Sequence, residues 1–335
     1  MKWVLRIAGG LLAIIVVAFL VFRTPDTDPA EMRAKYGGSP SQFVEIGGGT
    51  EVHLRDEGPG NGQADAPVVM LLHGSNADLH TWEPWVEGLA DEYRVIRFDQ
   101  VGHGLTGPDP RGDYSRANYV EDIREVADTL GLGSFVIGGS SMGGKHALAF
   151  AAQYPERVEG LILVGSSGAP MPTTPGDEDD DGGNIGFAIA QMPGINLIAE
   201  QITPRFLIAQ SLEDTVAVEG VVNDAMIDRY WEMLRYPGNR AATMARFSSA
   251  YDPLTQEEIA AIDVPVLVLH GAKDGLIPAS AGRWLADTLP DASLRIYPEV
   301  GHLPHEEAPG RSLEDVRQWL EQRVRRSSAE DTPAT

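Results

Sequence analysis

Apolar residues in this chain gather in short dense runs between polar, glycine-rich breaks, and other segments carry them at three- and four-residue spacing. Dense runs read as buried strands, and the wider spacing reads as helices packed on them. Gln42–Ile46 and Val52–Asp56 form an opening hairpin across Gly47-Gly48-Gly49. Pro67–Leu72, Tyr93–Phe98, Ser134–Gly138 and Val158–Val164 follow as strands, with helices such as Asn118–Leu130 between them. Two later strands, Val264–Gly271 and Leu294–Tyr297, precede a helix from about Ser312 to Val324. Alternation of this kind predicts an α/β fold with a mostly parallel eight-stranded sheet covered by helices on both faces.

The alternation stops between Ser166 and Asp252. No strand-like run occurs there; helical patterns cover Ile185–Gln191, Ile195–Ala209, Val216–Tyr236 and Arg240–Ser249. Residues 166–252 are therefore expected as a helical cap between two parts of one core, 41–165 and 253–326. Met192, Ile198, Phe206, Leu207, Trp231 and Met233 are candidates to line a pocket beneath it, although packing the cap on the core is the plainer role for each. Within it, Asp177, Asp179, Asp181 and Gly182 match the first half of a calcium loop, but position 188 is Ala where the closing glutamate belongs. A solvated acidic loop is the expected reading.

The amino terminus has a different pattern. Lys2 and Arg6 precede an unbroken apolar run from Ile7 to Phe22, with Arg23, Asp26 and Asp28 after it. Residues 1–23 are read as a single-pass transmembrane anchor, with Trp3, Val4 and Leu5 extending the run and Arg6 snorkelling. No small-residue cleavage site follows, which favours an uncleaved anchor over secretion after signal cleavage. The leading positive charges place the amino terminus in the cytoplasm and the catalytic domain beyond the cytoplasmic membrane, in a periplasm where there is one. Residues 24–40 read as an extended or mobile linker, and 327–335 as a disordered tail.

Composition narrows the partners. A formal net charge of −23 argues against nucleic acid and strongly anionic partners and favours a small neutral or cationic substrate. With no cysteine, a lipoprotein anchor is excluded. No phosphate-binding loop, dinucleotide fingerprint or His/Cys metal cluster is present, and no cofactor is expected.

The candidate chemistry lies where predicted strands end. Gly139-Ser140-Ser141-Met142-Gly143 joins the strand ending near Gly138 to the helical run from Lys145 to Ala152. A Gly-x-Ser-x-Gly in that setting is a nucleophile elbow, which strains the serine backbone and projects its hydroxyl above the sheet. Asp274 follows the strand Val264–Gly271, and His302 follows Leu294–Tyr297, giving the chain order serine, acid, histidine. A serine hydroxyl needs a base to attack at neutral pH, His302 can supply it, and Asp274 can fix the imidazole tautomer. His305 is a competing base, read as a surface or supporting residue because His302 directly follows Gly301 at the strand end. His146 reads as a packing histidine.

These landmarks, with Leu71-Leu72-His73-Gly74-Ser75 and the loop from Asp99 to Gly104, resemble the α/β-hydrolase superfamily from about Phe43 to Arg325. The resemblance implies an oxyanion hole from the backbone N–H groups of Ser75 and Met142, a loop-shaping His73, and a scaffolding role for Asp99–Gly104. Serine at the nucleophile position departs from the aspartate-using dehalogenases and epoxide hydrolases. Ser141-Met142-Gly143-Gly144 resembles carbon–carbon hydrolases of ring-cleavage products, although Leu303 stands where many of those carry tryptophan. The implied function is a carboxylesterase-like serine hydrolase acting on a small neutral or apolar ester through an acyl-enzyme. The alternatives are a carbon–carbon hydrolase, a perhydrolase or haloperoxidase-like enzyme, and a ligand-binding member without turnover.

Overall fold

A computed structural model describes residues 2–59, 66–169, 201–249 and 252–324. Eight strands form one sheet: β1 (Ser41–Glu45), β2 (Glu51–Glu57), β3 (Val68–Leu72), β4 (Arg94–Phe98), β5 (Phe135–Ser140), β6 (Val158–Val164), β7 (Val266–Gly271) and β8 (Ala292–Tyr297). Their spatial order is β1-β2-β4-β3-β5-β6-β7-β8, with the first two antiparallel to their neighbours and the rest parallel. The mostly parallel eight-stranded sheet is thus as expected.

Burial explains which runs became central strands. Every residue of β5 and β7 is buried, so both faces of these strands are covered and they carry apolar runs in place of alternation. One face packs Ile123, Val126, Leu148 and Phe150 against β3 and β5. The other packs Trp82, Trp85, Val316 and Trp319 against β6 and β7. Strand order reverses at β3, whose neighbours are β4 and β5. Open α/β sheets place their sites in the crevice at such a reversal, here between the loops that hold Ser75 and Ser141.

The insert between β6 and β7 is helical over its described part: Arg205–Thr215, Asp224–Leu234 and Asn239–Ser248. Phe206 and Leu207 are exposed there, while Met233 is buried against Met32, Leu105 and Tyr236. The candidates Met192 and Ile198, the segment Ile185–Gln191, the acidic loop 177–182 and the tail 327–335 lie outside the described residues.

Two expectations for the amino terminus are corrected. A helix does form over Lys2–Phe22, but among the described residues no helix is long and apolar enough to cross a membrane. The unbroken run Ile7–Phe22 spans roughly 24 Å at the α-helical rise, short of a hydrocarbon core of about 30 Å. Neither the transmembrane anchor nor the extracytoplasmic placement built on it stands. The segment 24–40 is also not an extended linker. Asp28 caps a helix over Pro29–Tyr36 by accepting from the Ala30 and Glu31 amides, with Pro29 in the first turn. Before it, the Thr24 amide donates to Gln201 O (2.9 Å) and the Thr27 amide to Arg235 O (2.9 Å). Arg240 answers with bonds to Thr24 O (2.8 Å) and Asp26 (2.5 Å), strapping this segment across the insert.

Candidate active site

Ser141 directly follows β5 with φ 52° and ψ −116°, one of two positive-φ non-glycine residues among those described. This region is costly for a side chain, on the order of 1–3 kcal/mol, and persists only where surroundings over-determine it. They do so here. The Ser141 amide donates to Val164 O (2.9 Å), and its carbonyl accepts from the Gly144 and Ser167 amides. A Cβ at Gly139 would fall 2.2 Å from the Gly143 carbonyl carbon, and one at Gly143 would fall 2.3 Å from Leu72 O. Only glycine permits that approach, which is why the elbow needs both.

Asp274 and His302 are brought together as expected. His302 Nδ1 donates to Asp274 Oδ2 at 2.8 Å, which leaves the lone pair on Nε2. The carboxylate is otherwise occupied by the Leu276 and Ile277 amides at Oδ1 and by His270 Nε2, 3.3 Å from Oδ2. Burial alone would raise the Asp274 pKa, but the bonds from His270, His302 and the Ile277 amide outweigh it and hold the carboxyl well below its usual range. The acid therefore stays ionised at neutral pH. Ser141 and His302 flank one piece of backbone: Val164 O holds the serine amide, and the adjoining Gly165 lies against the His302 carbonyl.

The two other predicted residues border the elbow. Gly74, just before Ser75, packs against Ser141 Cβ, and Met142 opens the helix Met142–Gln153. Among the described residues neither the Ser75 nor the Met142 N–H has a hydrogen-bond partner. Both residues line a cavity of about 890 Å³ that runs beneath the helix Asn239–Ser248; Ser141 and His302 are not part of its wall. An acceptor oxygen placed beside the serine could take both amides, the arrangement that stabilises a tetrahedral oxyanion.

The remaining histidines sort by their partners. His146 is buried, stacked on Tyr119 at 4.1 Å and bonded to Gln100 Oε1 at 2.7 Å, a packing residue as expected. His73 donates through Nδ1 to Gly74 O and accepts the Gln100 amide at Nε2, so it shapes the loop before Ser75. Asp99 is buried scaffolding, accepting from Leu79 N, Leu105 N and His53 Nδ1. His305 is not a surface residue. It is buried on Trp82 (4.3 Å) with Nε2 on Thr81 Oγ1, and burial beside His302 and Arg229 holds its pKa down at about 3.

Two residues at this site carried no sequence signal. Arg246 of the insert donates to Ser75 Oγ (2.8 Å), to Met142 Sδ (3.4 Å) and to His103 Nε2. Glu307 sends its buried carboxylate into the loop that holds His302. Ser75 is 171 positions from Arg246 along the chain, and Glu307 joins nearby amides of the His302 loop to that of Ala217, 90 positions away.

A reversing parallel sheet with a strained serine at the end of its middle strand, and an acid–histidine pair beyond later strands, defines an α/β enzyme built around a nucleophile elbow. Residues 67–309 match the family model described as alpha/beta hydrolase fold, and the chain belongs to that family. It is 31% identical over 294 residues to 2-hydroxymuconate semialdehyde hydrolase of Pseudomonas putida, covering 83% of this chain and 96% of that one. A putative 2-succinyl-6-hydroxy-2,4-cyclohexadiene-1-carboxylate synthase of Bacillus subtilis is 29% identical, over 79% of this chain and 93% of that one. Among solved structures, a thermophilic esterase from Thermogutta terrifontis superposes with a TM-score of 0.66 at 28% identity, over 84% of this chain and 98% of that chain.

Proposed function

We propose that this chain cleaves an acyl compound by nucleophilic attack of Ser141, and that the bond broken is carbon–carbon, of the ring-cleavage-product type. The observation that carries the nucleophilic part is the 2.8 Å bond from His302 Nδ1 to an ionised Asp274, joined to the strained serine through the backbone of Val164 and Gly165. The choice of bond is supported by the Pseudomonas putida relative, whose likeness extends over nearly its whole length.

In this reading Ser141 Oγ attacks a substrate carbonyl while His302 Nε2 takes its proton, and the Ser75 and Met142 amides hold the oxyanion. Collapse of the tetrahedral intermediate expels carbon, which leaves only if its electron pair spreads into an adjacent carbonyl as an enolate. The substrate is therefore a β-diketone or a vinylogous equivalent. The imidazolium returns its proton to the leaving carbon, and water activated by the same imidazole then frees the acid from Ser141. These steps need no cofactor. Ester hydrolysis by the same groups is the second reading, favoured by the likeness to the Thermogutta terrifontis esterase.

The test compares turnover of a 2-hydroxy-6-oxo-dienoate, followed by loss of its dienolate absorbance, with turnover of p-nitrophenyl esters of graded chain length. Faster cleavage of the dienoate, lost in Ser141→Ala, is the expected result. Ester turnover with an untouched dienoate replaces the first reading by the second. Inertness toward both, in a folded protein, removes the two together.

A further inference from the structure

The cavity lined by Ser75 and Met142 has an electrostatic character that net charge does not foretell. Arg116, Lys145 and Arg246 line it. Lys145 sits in the first turns of the helix that Ser141 starts, and Arg246 reaches in from the insert. Among the described residues neither has a carboxylate within ion-pair distance, whereas Arg116 is paired with Asp252 at 3.1 Å. Arg116 Nη1 is nevertheless buried without a partner. The acids on the wall, Asp113 and Asp252, are exposed at the rim. Burial and then the Arg246 charge lower the Lys145 pKa, and the opposing pull of Asp252 at the rim does not restore it.

We propose that this cavity is an anion subsite in which Lys145 and Arg246 take a carboxylate carried by the substrate, beside the amides of Ser75 and Met142. The inference rests on the acyl-cleaving function proposed above and replaces the neutral substrate that the chain's acidity suggests. Arg246 holds Ser75 Oγ with one nitrogen and the Met142 sulfur with another, so the anion and the reacting carbonyl lie on two sides of one guanidinium. A monoanion fits better than a phosphate, because the rim carboxylates would repel a second negative charge.

The experiment pairs the p-nitrophenyl monoester of glutaric acid with its methyl-capped neutral counterpart. The ratio of their kcat/KM values is expected to favour the charged ester by about tenfold or more, and to fall by about tenfold in Lys145→Gln and in Arg246→Gln. A wild-type ratio near one, or a ratio unmoved by both substitutions, overturns the subsite. Titration of glutarate into Ser141→Ala and into Ser141→Ala/Lys145→Gln separates this from the fate of the hydrolase reading. Binding that weakens in the double variant upholds the subsite even without turnover. Turnover with no glutarate binding overturns the subsite alone.

The loop of His302 has a different kind of attachment. Glu307 Oε2 accepts from the amides of Ala217 (2.8 Å), Val218 (3.1 Å) and Gly301 (2.9 Å), and Oε1 accepts from Leu303 (2.9 Å). Two donors belong to the insert and two flank His302, whose own amide donates to Thr215 O at 3.1 Å. We infer that Glu307 is a positioning residue that joins the insert to the proposed catalytic base, so that the two move as one body. In Glu307→Gln, which loses one acceptor and the charge, kcat should fall about tenfold or more with little change in KM, since a misplaced base affects the chemical step. The downfield proton of the His302–Asp274 bond should broaden or shift in the same variant. Val218→Pro removes one donor from the insert side and is expected to move kcat and that proton the same way, less strongly. Unchanged kcat and an unchanged proton signal in either folded variant overturn the role.

Discussion

The sheet's carboxyl edge and the helical insert are held in place by different forces. At the edge, Ser141 is fixed by its own backbone and by glycine contacts too close for any side chain, over strands that are completely buried. The insert is held by ion pairs added to apolar packing of Leu212, Met226, Ile227 and Tyr230 on Ala77 and Leu303. Arg229 lies between Asp78 (3.6 Å) and Glu306 (3.1 Å), Arg240 binds Asp26, and Arg205 binds Asp228 (2.5 Å). Backbone contacts of the first kind are insensitive to salt, whereas ion pairs weaken with it, the exposed ones most. The proposed site lies on the seam, with a serine whose geometry is local and a neighbour, Arg246, whose position depends on the insert.

Breaking the edge should have the largest effect. Ser141→Ala is expected to lower kcat/KM by about 10³-fold or more while leaving the thermal midpoint nearly unchanged, because a small, half-buried hydroxyl adds little to packing. Steady-state kinetics beside a melting curve check both halves. Breaking the insert should do the reverse. Arg229→Met would strand the carboxylates of Asp78, fully buried, and Glu306, and should cost about 3–5 kcal/mol of stability in denaturant unfolding.

One residue of the core sharpens the contrast by violating it. Asp122 is buried in the helix Arg116–Thr129, and neither of its carboxylate oxygens has a hydrogen-bond partner. Burial and then the Asp109 charge push its pKa up to about 7. A carboxyl raised above its unfolded value is stabilising only while protonated, so this group removes stability as pH climbs from about 4 through 7. Asp122→Asn should therefore raise the melting temperature at pH 8 and leave it nearly unchanged at pH 4; equal effects at both would mean the charge is not the cause. The smallest effect belongs to the strap. Arg240→Ala should cost about 1 kcal/mol and speed amide exchange in the helices Asp224–Leu234 and Asn239–Ser248, with the elbow unaffected.

Legibility in the sequence followed the same division. β6 begins and ends where expected, at Val158 and Val164, because its buried stretch Gly160–Val164 is written as an apolar run, with Glu159 alone exposed. The serine, acid and histidine were legible because each sits just past a strand end. The helix Pro29–Tyr36 was missed: it buries only Met32 and so has no apolar rhythm, although Asp28-Pro29 was a start signal in plain view. The anchor was over-read from hydrophobicity without enough weight on length. Arg246 and the link from Glu307 to the insert were not legible, since residues that meet across 171 and 90 positions leave no local pattern. The acid total was equally uninformative about the cavity, since a chain of −23 still turns two unbalanced cations inward.

The strap of Thr24–Asp28 has a practical consequence. A fragment starting at Thr24 keeps the bonds to Gln201, Arg235 and Arg240, whereas one starting at Pro29 loses them all while retaining every strand and every proposed catalytic group. Two preparations differing by five residues would thus share one proposed site and differ in how the insert beside it is tethered.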